Sequence, residues 1–392
     1  MASRAESTPS GSLPEPSPEA RAHSDRVRAR VEQAVRAAGG WLGFDRFMDI
    51  ALYEPALGYY SAGARKLGAD GDFTTAPELS SLFGETLAHQ VGDIVAAGGS
   101  SVLEVGAGSG ALAATVLAEL EKQDRLPGQY LILELSADLR ERSRDTLAAR
   151  VPHLVERVAW LSRLPPSFSG AVIGNEVLDA MPVHLVQTGE DGRIDELGVV
   201  QRAEGFALDA RPATGELLAA AQALGLPPGY RTEIGLAARG FARSLAGILE
   251  RGVALFIDYG FASKEFYHPE RREGTLMCHY RHRAHGDAFF LPGLQDITAH
   301  VDFSAIATAA SRAGLQISGF ASQAQFLINC GITDVLSRVA PEDTLRYLPL
   351  ANQANRLLSP AEMGDLFKVI ALSKDWEAPL RGFARGDRSH TL

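Results

Sequence analysis

The sequence predicts an α/β fold, built on an open sheet of buried parallel strands, and three observations predict it. The stretch Ser101 to Gly110, SVLEVGAGSG, sets the apolar run Val102, Leu103 and Val105 before Gly106, Gly108 and Gly110; Leu112, Val116 and Leu120 then keep helical spacing. Further short apolar runs recur at Tyr130 to Leu135, Ala171 to Gly174 and Val253 to Ile257, as strands covered on both faces require. Two of these runs close on polar residues, Glu134 and Asn175, at strand ends where open α/β sheets bind ligands.

The glycine turn predicts a nucleotide-like guest, because a backbone without Cβ atoms turns tightly and lets a ligand lie against it. Two details choose between cofactors. The acid Glu104 stands two residues before the first glycine, and the third glycine comes one place too early for G-x-G-x-x-G. A dinucleotide places its pyrophosphate at the helix N-terminus, where an acid repels it. S-adenosylmethionine has no phosphate and carries a sulfonium and an ammonium that a carboxylate attracts. The turn therefore favours S-adenosylmethionine over NAD.

Whole-chain properties narrow the class. The 392 residues are enough for a large domain with an appendage, and 46% hydrophobic with 22% charged residues is ordinary for a soluble globular protein. A net charge of −10 argues against nucleic-acid binding and for a cationic substrate. Cys278 and Cys330 stand far apart, which gives neither a disulfide framework nor a zinc knuckle and fits a reducing compartment. With no apolar run near the roughly 20 residues of a membrane span, the expectation is a cytoplasmic bacterial protein, mitochondrial only if eukaryotic.

Taken in order, residues 1–22 read as a disordered tail rich in Ser, Pro, Ala and Glu. Glu6, Glu15 and Glu19 are the wrong charge for a transit peptide. Residues 23–98 read as a helical region, with a helix from Val27 to Ala38 and a loop, GDFTTAP, that leads through Thr75 and Glu78 into a capped helix. Residues 99–183 and 236–375 form the cofactor-binding core, interrupted at 184–235 by an antiparallel module with a hairpin turn at Glu190, Asp191 and Gly192. Residues 376–392 read as a tail.

Within the core, Glu134 ends the second strand, where an acid takes both ribose hydroxyls of a nucleoside. Trp160 sits on a third strand, Val158 to Leu161, and is placed as a ring that stacks on adenine. Asn175, Glu176 and Asp179 follow the fourth strand and mark the reacting site. The histidines His268, His279, His282, His285 and His300 lack the cysteine or carboxylate spacing of a metal site, so no metal is expected.

The motifs GDFTTAPELSSLFGE, LEVGAGSGALA, LELSADLR, GNEVLDAMPVH, IDYGF, GTLMCHYRH to LPGLQDITAHVDF, and MGDLFKVIALS stand in this order, and together they resemble the MidA-like S-adenosylmethionine-dependent methyltransferases. The resemblance covers about residues 41–374. It implies a class I methyltransferase sheet of seven strands, Rossmann-like with the last antiparallel, and a smaller lid formed by the insertion and the N-terminal helices. It places Glu104, Gly106, Gly108, Gly110 and Glu134 at S-adenosylmethionine-binding positions, with Thr75 and Asn175 beside the cofactor and the GDFTTAP loop closing over it. Relatives commonly read G-P-G-R-G where this chain has GAGSG, so any role of that arginine is missing here. Mitochondrial members are complex I assembly factors that methylate protein arginine, which implies an arginine of a protein partner, a complex I subunit among the possibilities, as acceptor.

An arginine arrives charged, and a carboxylate pair can hold its charge while one nitrogen is methylated. Glu176 and Asp179 are the residues placed in that catalytic role. Two other functions stay open at this point: a small-molecule methyltransferase, and an assembly factor that binds the cofactor without catalysis. The sequence does not fix the acceptor or the oligomeric state.

Overall fold

A computed structural model describes residues 13–62 and 75–392. Most of the GDFTTAP loop, residues 71–74, and the first half of the expected N-terminal tail lie outside the described residues.

Seven strands form the main sheet: β1 (Ser101–Val105), β2 (Gln129–Leu133), β3 (Val158–Leu161), β4 (Phe168–Asn175), β5 (Leu249–Phe261), β6 (Gln316–Ser322) and β7 (Phe367–Lys374). Their order across the sheet is β3-β2-β1-β4-β5-β7-β6, with β7 antiparallel to both of its neighbours and the other pairs parallel. This is the sheet that the resemblance implies; a two-residue strand, Val301–Asp302, adds beside the end of β5. Successive residues feed opposite cores. Val102 and Ile173 face the helices Ser81–Ala96 and Ala111–Lys122, while Leu103 and Val172 face Leu236–Ile248 and Phe303–Arg312. All four side chains are fully buried, each contributing about 1.5–3 kcal/mol.

The inserted segment makes an antiparallel sheet of its own. Ile194–Arg202 pairs with Leu42–Gly43, His184–Thr188 and Gly205–Pro212, and His184–Thr188 pairs further with Arg231–Ile234. Val31, Phe47 and Met48 of the N-terminal helices share a core with Leu185, Leu197 and Val199 of the insertion. A third, smaller sheet, Arg283–His285, Met277–Tyr280 and Asp296–Thr298, packs against the same core through Cys278 and Ile297.

Three local expectations are corrected. The N-terminal tail ends earlier than residue 22: a helix runs Pro18–Ala37, begun by Pro18 at its first turn and by Ser17 Oγ, which accepts from Ala20 N at 3.2 Å. Thr75 precedes only the short helix Ala76–Leu79 and its side chain makes no cap bond; Ser80 caps the long helix instead, accepting from Leu82 N. The segment 376–392 is folded rather than a tail. Its Trp376, Leu380 and Phe383 join the core, Gly382 N donates to the buried Gln90 at 2.8 Å, and Asn329 Nδ2 donates to the Gly382 and Arg385 carbonyls.

Candidate active site

A cavity of about 790 Å³ opens beyond the carboxyl ends of β1, β2, β4 and β5. Thr75, Glu104, Gly106, Gly108, Glu134, Asn175, Glu176 and Asp179 all line it. Gly110 and Trp160 do not.

The glycine turn builds one end. Gly106 has φ +67°, a left-handed conformation that a side chain resists, and its N–H donates to Leu133 O at 2.9 Å, joining the turn to β2. Gly110, at φ +82°, starts the helix Ala111–Lys122; a Cβ there would stand 2.8 Å from Ser143 Cα. Its task is close backbone packing behind the cavity rather than ligand contact. Ser109 Oγ donates to Glu78 Oε1, tying the short helix after Thr75 to the turn, a link that spacing alone does not signal.

Two acids stand at this end. Glu104 is 1% exposed and accepts from the Tyr130 hydroxyl at 2.6 Å. Burial pushes its carboxyl up to about 7, with Glu134 adding to the rise and the Tyr130 hydrogen bond opposing it. Glu134 is also raised by burial, against backbone bonds from Ser136, Gly108 and Leu135 that favour its charged form. Ser136 N lies 2.9 Å from its Oε1.

Trp160, like Gly110, stands away from its expected place at the cofactor. Its Nε1 donates to Ser143 Oγ at 2.9 Å, and the Arg144 guanidinium lies over its ring, 4.8 Å from the centroid. Both partners belong to the helix Ala137–Arg150, which draws the indole against that helix and away from the cavity.

The loop after β4 builds the other end. Glu176 adopts φ +53°, unusual for a residue with a side chain, and its N–H donates to Ile257 O at 2.9 Å. Asp258, on the neighbouring β5, fixes the residues that follow: its Oδ2 accepts from Val177 N, Leu178 N and Asp179 N at 3.0, 2.8 and 3.3 Å. Asn175 Nδ2 donates to Glu176 Oε1 at 3.0 Å. Burial, then the charge of Asp179, pushes Glu176 up to about 8, and burial with Glu176 nearby pushes Asp258 to about 7. Burial and the neighbouring Asp258 and Asp296 hold Asp179 well above the usual carboxylate range. Asp179 Oδ1 and Asn175 Oδ1 have no hydrogen-bond partner among the described residues.

Sequence reasoning gave no role to Tyr53, Tyr60, Asp258, Asp296 or His300. All but Asp258 line the cavity. Asp258, Asp296 and His300 lie within the motifs that carry the family resemblance, but no local spacing assigns them a partner. Of the five histidines, His279 and His300 reach the cavity; burial lowers His300 to about 4, so its ring is neutral at pH 7. The metal-ligating side chains that come together among the described residues are elsewhere, Asp45, His184 and Glu196, with His184 Nδ1 2.8 Å from Glu196 Oε1. Among the described residues no helix is long and apolar enough to cross a membrane.

The donor set fits S-adenosylmethionine. The lining holds acids and no Lys or Arg among the described residues, which suits a cationic cofactor and not a pyrophosphate. A crystal structure of a Burkholderia thailandensis protein bound to S-adenosyl-homocysteine is 50% identical to this chain, covers 97% of it and 100% of its own chain, and superposes with a TM-score of 0.94. The "Protein arginine methyltransferase NDUFAF7, mitochondrial" of Danio rerio is 28% identical over 86% of this chain and 84% of its own length. Its Drosophila melanogaster homolog is 28% identical over 93% and 90%. Residues 83–321, more than half of the chain, match the family described as "Putative S-adenosyl-L-methionine-dependent methyltransferase". With the seven-stranded sheet, the phosphate-averse glycine turn and the acids beyond the strand ends in agreement, the chain belongs to this family of S-adenosylmethionine-dependent methyltransferases.

Proposed function

We propose that the protein methylates an arginine side chain of a protein partner, the acceptor entering beside the loop 175–182. One observation carries the reading. Asp179 is 7% exposed with an oxygen that has no donor among the described residues, in a cavity whose described lining offers no Lys or Arg. A buried acceptor left without a donor costs about 1–3 kcal/mol, so the site favours a guest that brings N–H groups and positive charge. A guanidinium brings five N–H donors in a planar fork. The relatives described as protein arginine methyltransferases support the same acceptor, and a respiratory complex I subunit is the partner class that the family resemblance implies.

Glu104, Glu134, Thr75 and the backbone at Gly106 and Gly108 would hold the cofactor. When bound, S-adenosylmethionine supplies a methyl group on a positively charged sulfur. Asn175 borders both halves of the site. Glu176 and Asp179 orient the guanidinium, keep its charge on the nitrogens that are not methylated, and accept the proton released afterwards. Holding the partners in line in a water-poor cavity is worth roughly 7–11 kcal/mol of the barrier.

The test is incubation with methyl-labelled S-adenosylmethionine and an extract of cells lacking the gene, with Glu134→Ala as control. Label in a discrete protein, recovered on arginine after hydrolysis and absent in the control, is the expected result. Label confined to small molecules would move the acceptor class; no label with cofactor still bound would mark a non-catalytic assembly factor.

A further inference from the structure

The run Tyr53 to Tyr60, YEPALGYY, brings two aromatic rings to the acceptor end, and one glycine permits it. The helix Phe44–Tyr53 stops, and the chain folds straight back on it: Tyr59 N donates to Ala51 O and Tyr60 N to Leu52 O, both at 2.8 Å. A Cβ on Gly58 would stand 2.5 Å from Leu52 C and from Tyr53 N, so the return requires a residue without one. It sets Tyr60 on Tyr53, with ring centroids 5.5 Å apart and planes at 21°. The buried Tyr59 meets Tyr60 at 81°, with centroids 5.1 Å apart, and braces the pair.

Tyr53 and Tyr60 are each half-buried and line the cavity, and both hydroxyls are committed at its acceptor end. Tyr53 Oη donates at 2.8 Å to the carbonyl of Ala180, the residue after Asp179, and Tyr60 Oη donates to Asp296 Oδ1 at 2.9 Å. Burial first, then the charge of Asp296, raises both phenols above their ordinary range, so both rings are neutral at pH 7. With the hydroxyl hydrogens turned to the protein, the pair offers a ligand its ring surface. Such faces are electron-rich and attract a cation within about 6 Å of the centroid.

The shape of the cation then matters. A guanidinium is flat and its N–H groups lie in the plane, so a face can rest on a ring while an edge meets carboxylates. An ammonium is a compact point charge with no such face. We propose that Tyr53 and Tyr60 form an aromatic wall of the acceptor site, on which a guanidinium lies while its edge meets Glu176 and Asp179, and that this wall selects arginine over lysine. It rests on the reading of this end as the acceptor site, and adds the device that discriminates between cationic side chains.

The probe is agmatine, titrated into the full chain with saturating S-adenosyl-homocysteine and followed by calorimetry or saturation-transfer NMR; putrescine replaces its guanidinium by an ammonium. The native protein is expected to bind agmatine about ten-fold tighter than putrescine. Tyr53→Leu and Tyr60→Leu should each weaken agmatine about five-fold and putrescine less than about two-fold, with S-adenosyl-homocysteine affinity within about two-fold of native. Tyr53→Phe and Tyr60→Phe keep the rings and should lose less than about three-fold. If the Leu variants do not fold, fluorinated phenylalanines at the same two positions decide: each added fluorine drains the ring face, and agmatine affinity should fall stepwise. An equal loss of both ligands, no loss in the folded variants, a flat fluorine series, or putrescine bound natively as well as agmatine overturns the wall. Agmatine that binds, is lost in Glu176→Gln and survives ring removal overturns the wall alone; no binding of either cation to the native protein overturns it together with the assignment of the acceptor end.

Discussion

The two ends of the cavity treat their acids differently. At the end assigned to the cofactor, each carboxylate meets a donor from the sheet or turn that carries it: Tyr130 for Glu104, and the Ser136, Gly108 and Leu135 amides for Glu134. At the end assigned to the acceptor, Glu176, Asp179, Asp258 and Asp296 crowd one another, and Asp179 Oδ1 and Asn175 Oδ1 are left without donors among the described residues. The first arrangement holds its acids in place before any ligand arrives. On the proposed reading an incoming cation completes the second, which would couple the protonation of the loop to acceptor binding.

The largest effect should fall on the incomplete end. Glu176→Gln and Asp179→Asn are each expected to slow methyl transfer about 10- to 150-fold, the loss of a charge-assisted bond worth about 1.5–3 kcal/mol. Calorimetry should find S-adenosyl-homocysteine affinity within about two-fold of native for both. If both folded variants turn over at the native rate, the assignment of the two ends fails. At the satisfied end the pattern inverts: Glu134→Gln is expected to weaken S-adenosyl-homocysteine about ten-fold, one polar contact's worth, with agmatine affinity at saturating cofactor nearly unchanged.

The two ends should also differ in pH response. With Glu176 raised to about 8 and Asp258, which holds the loop, to about 7, kcat/KM should rise with pH through about 8 as the proposed acceptor-binding Glu176 ionises. Stability moves the other way. The ordinary values are 4.5 for Glu176 and 3.8 for Asp258, so the folded state holds these protons more tightly than the unfolded chain. Their contribution is fully present below those ordinary values and is lost as pH rises through about 7 to 8. Thermal unfolding of the ligand-free protein should show a falling Tm over that window, a fall that Glu176→Gln reduces. A flat profile in both measurements would remove the coupling between protonation and acceptor binding.

The same contrast explains what the sequence discloses. The sheet and its glycine turn are legible because they are local: apolar runs of strand length, glycines where φ is positive, and acids at strand ends. Thr75, Glu104, Gly106, Gly108, Glu134, Asn175, Glu176 and Asp179 are recognised in this way or through the motifs, and they do share one cavity. Tyr53, Tyr60 and Asp296 are not legible, since Tyr60 meets Asp296 across 236 residues and Tyr53 meets Ala180 across 127. Asp258 is hidden for another reason. Its partners are backbone amides, which every residue has, so no side-chain pattern announces them.

Trp160 sets the smallest expected effect and tests where the cofactor end stops. An indole at a strand end invites adenine stacking, but here Ser143 and Arg144, one helical turn inward from the cavity-lining Leu139, claim its nitrogen and its face. Trp160→Phe removes one hydrogen bond and weakens one cation–π contact, a loss of about 1–2 kcal/mol in stability measured by urea unfolding. Ser143 also packs beneath Gly110, so the lost bond is felt in the packing of the turn's helix rather than in the cavity. S-adenosyl-homocysteine affinity should therefore stay within about two-fold of native. A ten-fold loss at unchanged fold, about 1.4 kcal/mol, would return Trp160 to the cofactor as a stacking platform and extend the cofactor end outward past β2.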